Sequence, residues 1–362
     1  MAEAQQSGRL VVIQVLRALA ALAVAYEHLR GFAASIARNQ HVSFAPPDAP
    51  GSRVALFFVV SGCVMVISSR RLYGQPHARR QFWARRLVRI LPFYWLATLF
   101  MVSILWLLHQ PLDPNALVHS LLFVPRLEAD TGQLALPVLW PGWTLFYELL
   151  FYCVFGLMLH LKRDRAVLAA GVALCLLSVA GLYVSPAHTT VYALTRPIVL
   201  LFVPGMVMGW LFACGIHLPA WVRAAAALGC VIAHLYWTVP PDASRYGFVY
   251  TVSAGLPAAL LGVALLGGPL RVPRPALWNR LGDISFSIYL FHVPIAWIGI
   301  GLFRGRVNDL GPWGYLALTL IGTYVVGYCH FRYVERPLTN WLKRFVPETA
   351  GRDIATGKPV PS

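Results

Sequence analysis

Apolar stretches of about twenty residues, divided by short polar breaks, run through almost the whole chain. A hydrocarbon core of about 30 Å is crossed by about 20 mostly apolar residues in a helix. Ten segments meet that description: 10–34, 53–69, 88–109, 138–161, 166–184, 196–214, 219–238, 248–267, 282–302 and 312–334. Pro and Gly interrupt several of them, which membrane helices tolerate when neighbours satisfy the freed backbone groups. The pattern predicts an all-α, polytopic membrane protein with about ten transmembrane helices. Residues 1–346 form one membrane-embedded domain in this reading, and 347–362 form a disordered cytoplasmic tail.

Composition narrows the class. Of 362 residues, 58% are hydrophobic and 12% charged, with a mean hydropathy of +0.63. Soluble domains average about 25% charged residues, so a water-soluble fold has nowhere to put this much apolar surface. Disorder is excluded by the abundance of aromatic and branched residues. The net charge of +16 is carried by 27 Arg against only Lys162, Lys343 and Lys358, a bias that codon usage in a GC-rich genome explains without nucleic acid. Where the charges fall is more informative. Seven arginines lie between positions 70 and 89, and further basic residues cluster at 162–165, 271–280 and 336–344. The alternate loops are poorer; in 110–137 a single Arg126 faces Asp113, Glu128 and Asp130. The positive-inside bias then puts both termini in the cytoplasm.

The first segment is read as a retained helix, because Arg17, Glu27 and His28 interrupt what a cleaved signal would keep apolar. The six cysteines lie singly in apolar runs, as small buried hydrophobes do. Arg17 and His28 stand eleven positions apart, which is nearly three turns and a rise of about 16 Å, so both lie on one stripe with Gln14, Ala21 and Ala25. A charge in the bilayer interior costs at least several kcal/mol unless it meets a partner or water. Taken singly, Arg17 reads as a side chain snorkelling to the headgroups and His28 as an interfacial residue. As a pair on one stripe with small residues between them they suit a narrow channel or a close helix contact, with histidine matched to base work near neutral pH.

Six stretches carry a resemblance to a known family. They are Arg17-x10-His28, Leu56-Phe-Phe-Val-Val-Ser-Gly62, Arg85-Arg-Leu-Val-Arg-Ile-Leu-Pro92-Phe-Tyr94 and Trp143-Thr-Leu-Phe-Tyr-Glu148-Leu-Leu-Phe-Tyr152, then Gly282-Asp-Ile-Ser-Phe-Ser-Ile-Tyr289-Leu-Phe-His292-Val-Pro294 and Val334-Glu335-Arg336-Pro337. In this order and spacing the chain resembles the acyltransferase 3 family of bacterial membrane acyltransferases, over essentially its whole length to about residue 345. The opening Ile13-Gln14-Val-Leu-Arg17 is most similar to the exopolysaccharide-modifying branch. The resemblance implies a ten-helix inner-membrane enzyme that moves an acyl group, usually acetyl from acetyl-CoA, to an acceptor hydroxyl. Family acceptors are mostly cell-surface sugars, with small molecules such as macrolides in some members. Glu27 beside His28 departs from the family pattern; it either tunes the imidazole or faces outward.

Acyl transfer from a thioester needs a base, a stabiliser for the oxyanion and a grip on the donor. His28 is the candidate base, and direct attack by the acceptor and an acyl-imidazole intermediate both remain open. Arg17 could hold the donor's carbonyl end or organise a polar shaft. Arg85, Arg86 and Arg89 share a helix face at spacings of three and four, and guanidinium forks suit the phosphates of CoA; topology alone would also explain them. Glu148, in mid-helix among aromatic residues, is expected to meet Arg17 or another interior cation, or to orient His28. His292 is either a second polar wall of the cavity or a satisfied core histidine, with the latter slightly favoured. Ser61, Tyr289 and Asp283 are weaker candidates. The remaining histidines show no metal-ligand spacing, and no metal is expected. Expected partners are acyl-CoA, a carbohydrate acceptor and the bilayer, with a homodimer or glycan-assembly proteins beyond these and no nucleic acid. The loops 35–52 and 110–137 are expected to shape acceptor choice. The competing class is a transporter or flippase, against which stands the lack of visible repeated halves.

Overall fold

The computed structural model describes residues 2–49, 51–128, 130–237, 239–240, 243–302 and 307–346. The expected tail at 347–362 lies outside the described residues. Among the described residues thirteen α-helices follow in order: α1 (Ala2–Gln40), α2 (Arg53–Ser68), α3 (Ala78–Leu107), α4 (Pro114–Leu121), α5 (Gly142–Met158), α6 (Arg163–Ala180), α7 (Thr189–Leu194), α8 (Phe202–Ala213), α9 (Ala220–Tyr236), α10 (Phe248–Leu266), α11 (Pro275–Leu302), α12 (Val307–His330) and α13 (Arg336–Leu342). Among the described residues there is no strand, only an isolated bridge between Leu127 and Leu134. Each of the ten apolar segments falls on helix. Among the described residues six helical stretches are long and apolar enough to cross a membrane, and α2, α5 and α9 are apolar but shorter. The molecule is an all-helical, multi-pass membrane protein.

Local chemistry explains the breaks. Asp113 caps α4 by accepting from the Asn115 backbone N–H at 2.9 Å, with Pro114 at the first helical position. Between α7 and α8, Pro197 starts a short 3-10 turn, and Arg196 stacks on Tyr192 at 3.6 Å while donating to the Gly181 carbonyl. Gly311 breaks α12 at a φ of +62° that a side chain would disfavour. A π-turn over Phe331–Glu335 joins α12 to α13.

Two seams organise the packing. In the first, α2 lies against α8, where Gly205 and Gly209 form a small-x-x-x-small face opposite Gly62. A Cβ on Gly205 would stand 1.8 Å from the Val59 carbonyl oxygen, so the two backbones touch. In the second, α1 lies against α11 and both pack on α12. Gln14 meets Gly282 and Asp283, Ala21 and Ala25 pack with Ile284 and Ile288, His28 meets His292, and Ala33 packs with Ala296. Residue numbers rise together along both seams, so each pair of helices runs parallel.

Candidate active site

Small side chains let α1 approach α11 closely, and this closeness places polar groups of the two helices in contact. At one end, the Gln14 amide donates to Asp283 at 2.9 Å, and Arg17 donates to the Gln14 side-chain oxygen at 3.0 Å. Glu148, Asp283 and Glu335 supply negative potential around the Arg17 guanidinium. Three turns on, His28 Nδ1 lies 2.8 Å from Nε2 of His292, with the two rings stacked at 5.1 Å. His292 is fully buried while His28 is partly open. Between a second polar wall of the cavity and a satisfied core histidine, His292 is the buried one, paired with His28.

A cavity of about 810 Å³ sits beside this seam, walled by Arg17, Ser61, Arg86, Arg89, Glu148 and Tyr289 among others. Six of the candidate residues, drawn from α1, α2, α3, α5 and α11, therefore converge on one space. Arg86 reaches in over the Phe82 and Tyr152 rings and donates to Ser68 at 2.7 Å. Arg85 stands exposed and off the cavity wall. Glu148 accepts from Ser61 at 3.0 Å and from the Tyr152 hydroxyl. Among the described residues it forms neither an ion pair with Arg17 nor a hydrogen bond to His28, but it shares the cavity with Arg17, Arg86 and Arg89. Two neutral hydroxyls, one from α2 and one a turn further along α5 itself, satisfy it, leaving its charge to act on the cavity through space.

His28 and His292 lie one layer beyond the cavity, past Tyr289. The Tyr289 ring is 5.9 Å from that of His292 and 5.2 Å from that of Phe57. Its hydroxyl shares a contact of 2.5 Å with Thr144 and donates to the Pro141 carbonyl at 3.0 Å. Thr144 also donates to Pro141 at 3.0 Å. This first turn of α5 is a joint in the site that no sequence candidate covered; only its place inside the Trp143-to-Tyr152 stretch pointed to it. On the far side, Phe32 stacks with Trp140 at 5.7 Å and meets Trp297 edge-on.

Glu27 does not hydrogen-bond His28. It accepts from Arg30 at 2.6 Å and from the Ala49 backbone N–H at 3.2 Å, with Arg53 at 4.0 Å. Arg30 continues to Asp48 at 2.8 Å, and the Tyr26 hydroxyl donates to the Pro47 carbonyl at 2.7 Å. The departure at Glu27 thus fastens the 41–52 loop to the helix that carries His28. A separate buried network joins Ser287 to Glu335 at 2.5 Å and to His330 at 2.8 Å, tying α11 to the end of α12.

Comparison with known proteins gives this arrangement a family. The acyltransferase domain of the acyltransferase 3 family matches residues 10–332. The exopolysaccharide production protein ExoZ of Rhizobium meliloti (strain 1021) is 34% identical over 320 residues, covering 83% of this chain and 93% of ExoZ. The acyltransferase MdmB of Streptomyces mycarofaciens is 30% identical over 339 residues, covering 84% of each chain. No solved structure matches the chain. With the family's domain spanning most of its length, the chain belongs to the acyltransferase 3 family and is a membrane O-acyltransferase.

Proposed function

We propose that this enzyme takes an acetyl group from acetyl-CoA at the cytoplasmic side of the inner membrane and places it on a hydroxyl of a cell-surface carbohydrate or its lipid-linked precursor. One observation carries the reading: a polar track runs from Arg86 and Arg89 through Arg17 and the Thr144–Tyr289 joint to the paired His28 and His292. In this reading Arg86 and Arg89 bind donor phosphates, and Arg17 steadies the thioester end. With its Nδ1 hydrogen donated to His292 Nε2, the His28 ring keeps a lone pair on Nε2. That nitrogen takes the proton from the acceptor hydroxyl as its oxygen attacks the thioester carbonyl. The carbon–sulfur bond then breaks, CoA leaves with a proton, and the acetyl ester remains on the sugar.

Ten crossings with both termini cytoplasmic fit the helix directions. The first and ninth apolar segments run parallel, as do the second and sixth, whereas α3 against α5, α9 against α10, and α11 against α12 run antiparallel. Each pairing has the parity that ten alternating spans require. The carbohydrate acceptor is supported by the similarity to ExoZ, whose name ties that protein to exopolysaccharide production.

The reconstituted protein is expected to transfer radiolabelled acetyl from acetyl-CoA to envelope glycan, and to gain thermal stability from acetyl-CoA. His28→Ala should lower transfer by about 10²–10⁴-fold while keeping that stabilisation. Full activity in His28→Ala would overturn the assignment of the base. No stabilisation and no transfer at millimolar acetyl-CoA would favour the transporter reading.

A further inference from the structure

A second recess, of about 520 Å³, opens on the other side of the first turns of α5. Rings from Tyr94, Phe123, Trp143, Phe146, Tyr147 and Tyr246 line it. The rings are mutually braced: Trp143 meets Tyr246 edge-on at 5.4 Å, Tyr147 stands 6.0 Å from Tyr246, and Tyr94 packs on Phe123 at 4.5 Å. One wall comes from residues within 116–126 and 134–137, which are held by specific contacts. Asp113 pairs with Arg126 at 2.8 Å, Ser120 receives the Val138 N–H at 2.9 Å, and the Tyr94 hydroxyl donates to the Ser120 carbonyl at 3.2 Å.

One group in this recess is out of balance. Tyr147 is 1% exposed, and its hydroxyl has no hydrogen-bond partner among the described residues. A buried polar group left unpaired costs about 1–3 kcal/mol and calls for an explanation. Its ring neighbours are Phe146 at 5.0 Å, Tyr246 at 6.0 Å and Trp143 at 6.3 Å. The recess is also next to the reaction site. Gly142 and Trp143 line it, while Thr144, the next residue, meets Tyr289 on the cavity side.

We infer that this recess is the acceptor subsite, and that it binds a pyranose ring with a C–H face on Trp143 and a hydroxyl on Tyr147; the inference rests on the acetyl-transfer reading above. Aromatic faces bind the apolar faces of sugar rings, and a pyranose supplies the hydroxyl that Tyr147 lacks. An acyl chain would fill the apolar space yet leave Tyr147 unpaired. The position also suits the reaction, because a sugar held there enters from the side opposite the Arg86 and Arg89 cavity.

The test uses the full chain in lipid nanodiscs, with methyl β-D-glucopyranoside and methyl β-D-galactopyranoside as probes and decanol as an apolar control. Saturation-transfer NMR is expected to show contact from the protein to the ring C–H protons of at least one glycoside. Trp143→Ala should abolish it. Tyr147→Phe should weaken glycoside binding roughly fivefold, the loss of one hydrogen bond, without lowering the melting temperature of the ligand-free protein, since it removes only an unsatisfied group. A lower melting temperature in Tyr147→Phe, undiminished glycoside binding in both variants, or saturation of decanol alone would overturn the inference. Acetyl-CoA stabilisation in the same nanodiscs separates the two readings. Glycoside contact without donor stabilisation would leave the recess standing and sink acetyl transfer; donor stabilisation without glycoside contact would do the reverse.

Discussion

The two parallel seams are built for opposite ends. Along α2 and α8, glycines bring the backbones into contact, with Gly205 and Gly209 against Val59 and Cys63. Along α1 and α11 the spacers are alanines, while Gln14, Arg17, His28, Asp283 and His292 carry polar groups between them. Membrane helices associate through close packing and interhelical hydrogen bonds, because lipid tails leave little hydrophobic drive between helices. The first seam rests on close glycine packing, and the second mixes both. The difference teaches that the glycine seam fixes α2, which brings Ser61 to the cavity, while the polar path itself follows the alanine-spaced helices.

The comparison breaks most visibly at Gly205. Gly205→Val would push methyl groups into the Val59 carbonyl, with backbone rather than a flexible side chain in the way. We expect a loss of at least about 3 kcal/mol, at the severe end for overpacking, seen as lost folded protein in detergent-resistant melting. A Gly205→Val protein that melts normally and transfers acetyl would show that the glycine seam is not structural. Arg89→Ala should act differently, leaving melting unchanged and raising the KM for acetyl-CoA about tenfold through the loss of one charge-assisted phosphate contact. Arg85→Ala, exposed and off the cavity, should leave that KM nearly unchanged. Equal effects of the two would refute the division drawn between them.

His292 sharpens the comparison further, since it belongs to the polar seam by a single contact of 2.8 Å. His292→Phe keeps the volume of a ring but removes the partner of His28 Nδ1. We expect a fall in kcat of about ten- to a hundredfold, with the KM for acetyl-CoA unchanged, as for partners that orient a catalytic imidazole. His292→Asn, whose amide oxygen can accept from Nδ1, should recover part of it. Equal loss in both variants would reduce His292 to a packing role.

Much of this seam was legible in the sequence, because charged residues in an apolar helix are costly and so stand out. Arg17 and His28 fall on one stripe by helical period alone, and Ser61, Glu148 and Tyr289 sit in stretches the family resemblance marked. What the sequence left open were contacts between helices hundreds of positions apart. His28 and His292 are 264 residues apart, and nothing in local periodicity sets one against the other. Glu148 was expected to meet an interior cation or to orient His28, and it lies in one cavity with Arg17, Arg86 and Arg89, but nothing in its own helix announced that Ser61 and Tyr152 would be its hydrogen-bond partners. The glycine seam was hidden for a different reason: Gly205 and Gly209 lie in a run where every residue is compatible with a membrane helix, so their spacing has meaning only once α2 is beside them.

Glu27 gives the smallest expected effect and tests whether the polar seam extends beyond the reaction centre. Its carboxylate accepts from Arg30 and the Ala49 N–H, but Arg30 and Glu27 are 23% and 18% exposed and Asp48 is 81% exposed. Such partly solvated pairs contribute about 1 kcal/mol or less. Glu27→Gln keeps a side-chain oxygen for the Ala49 N–H and removes only the charge that Arg30 and Arg53 face. The 41–52 loop should then loosen without detaching, because Tyr26 still holds Pro47 at 2.7 Å. We expect a melting temperature lower by a few degrees at most, unchanged kcat, and a KM for glycan acceptor raised two- to threefold. If Glu27 instead tuned the His28 imidazole, kcat would fall and its pH profile would move while the acceptor KM stayed fixed. Adding Tyr26→Phe separates the cases: loop release predicts that the two changes compound on acceptor KM, since they fasten the same segment, whereas imidazole tuning predicts that Tyr26→Phe adds nothing to kcat.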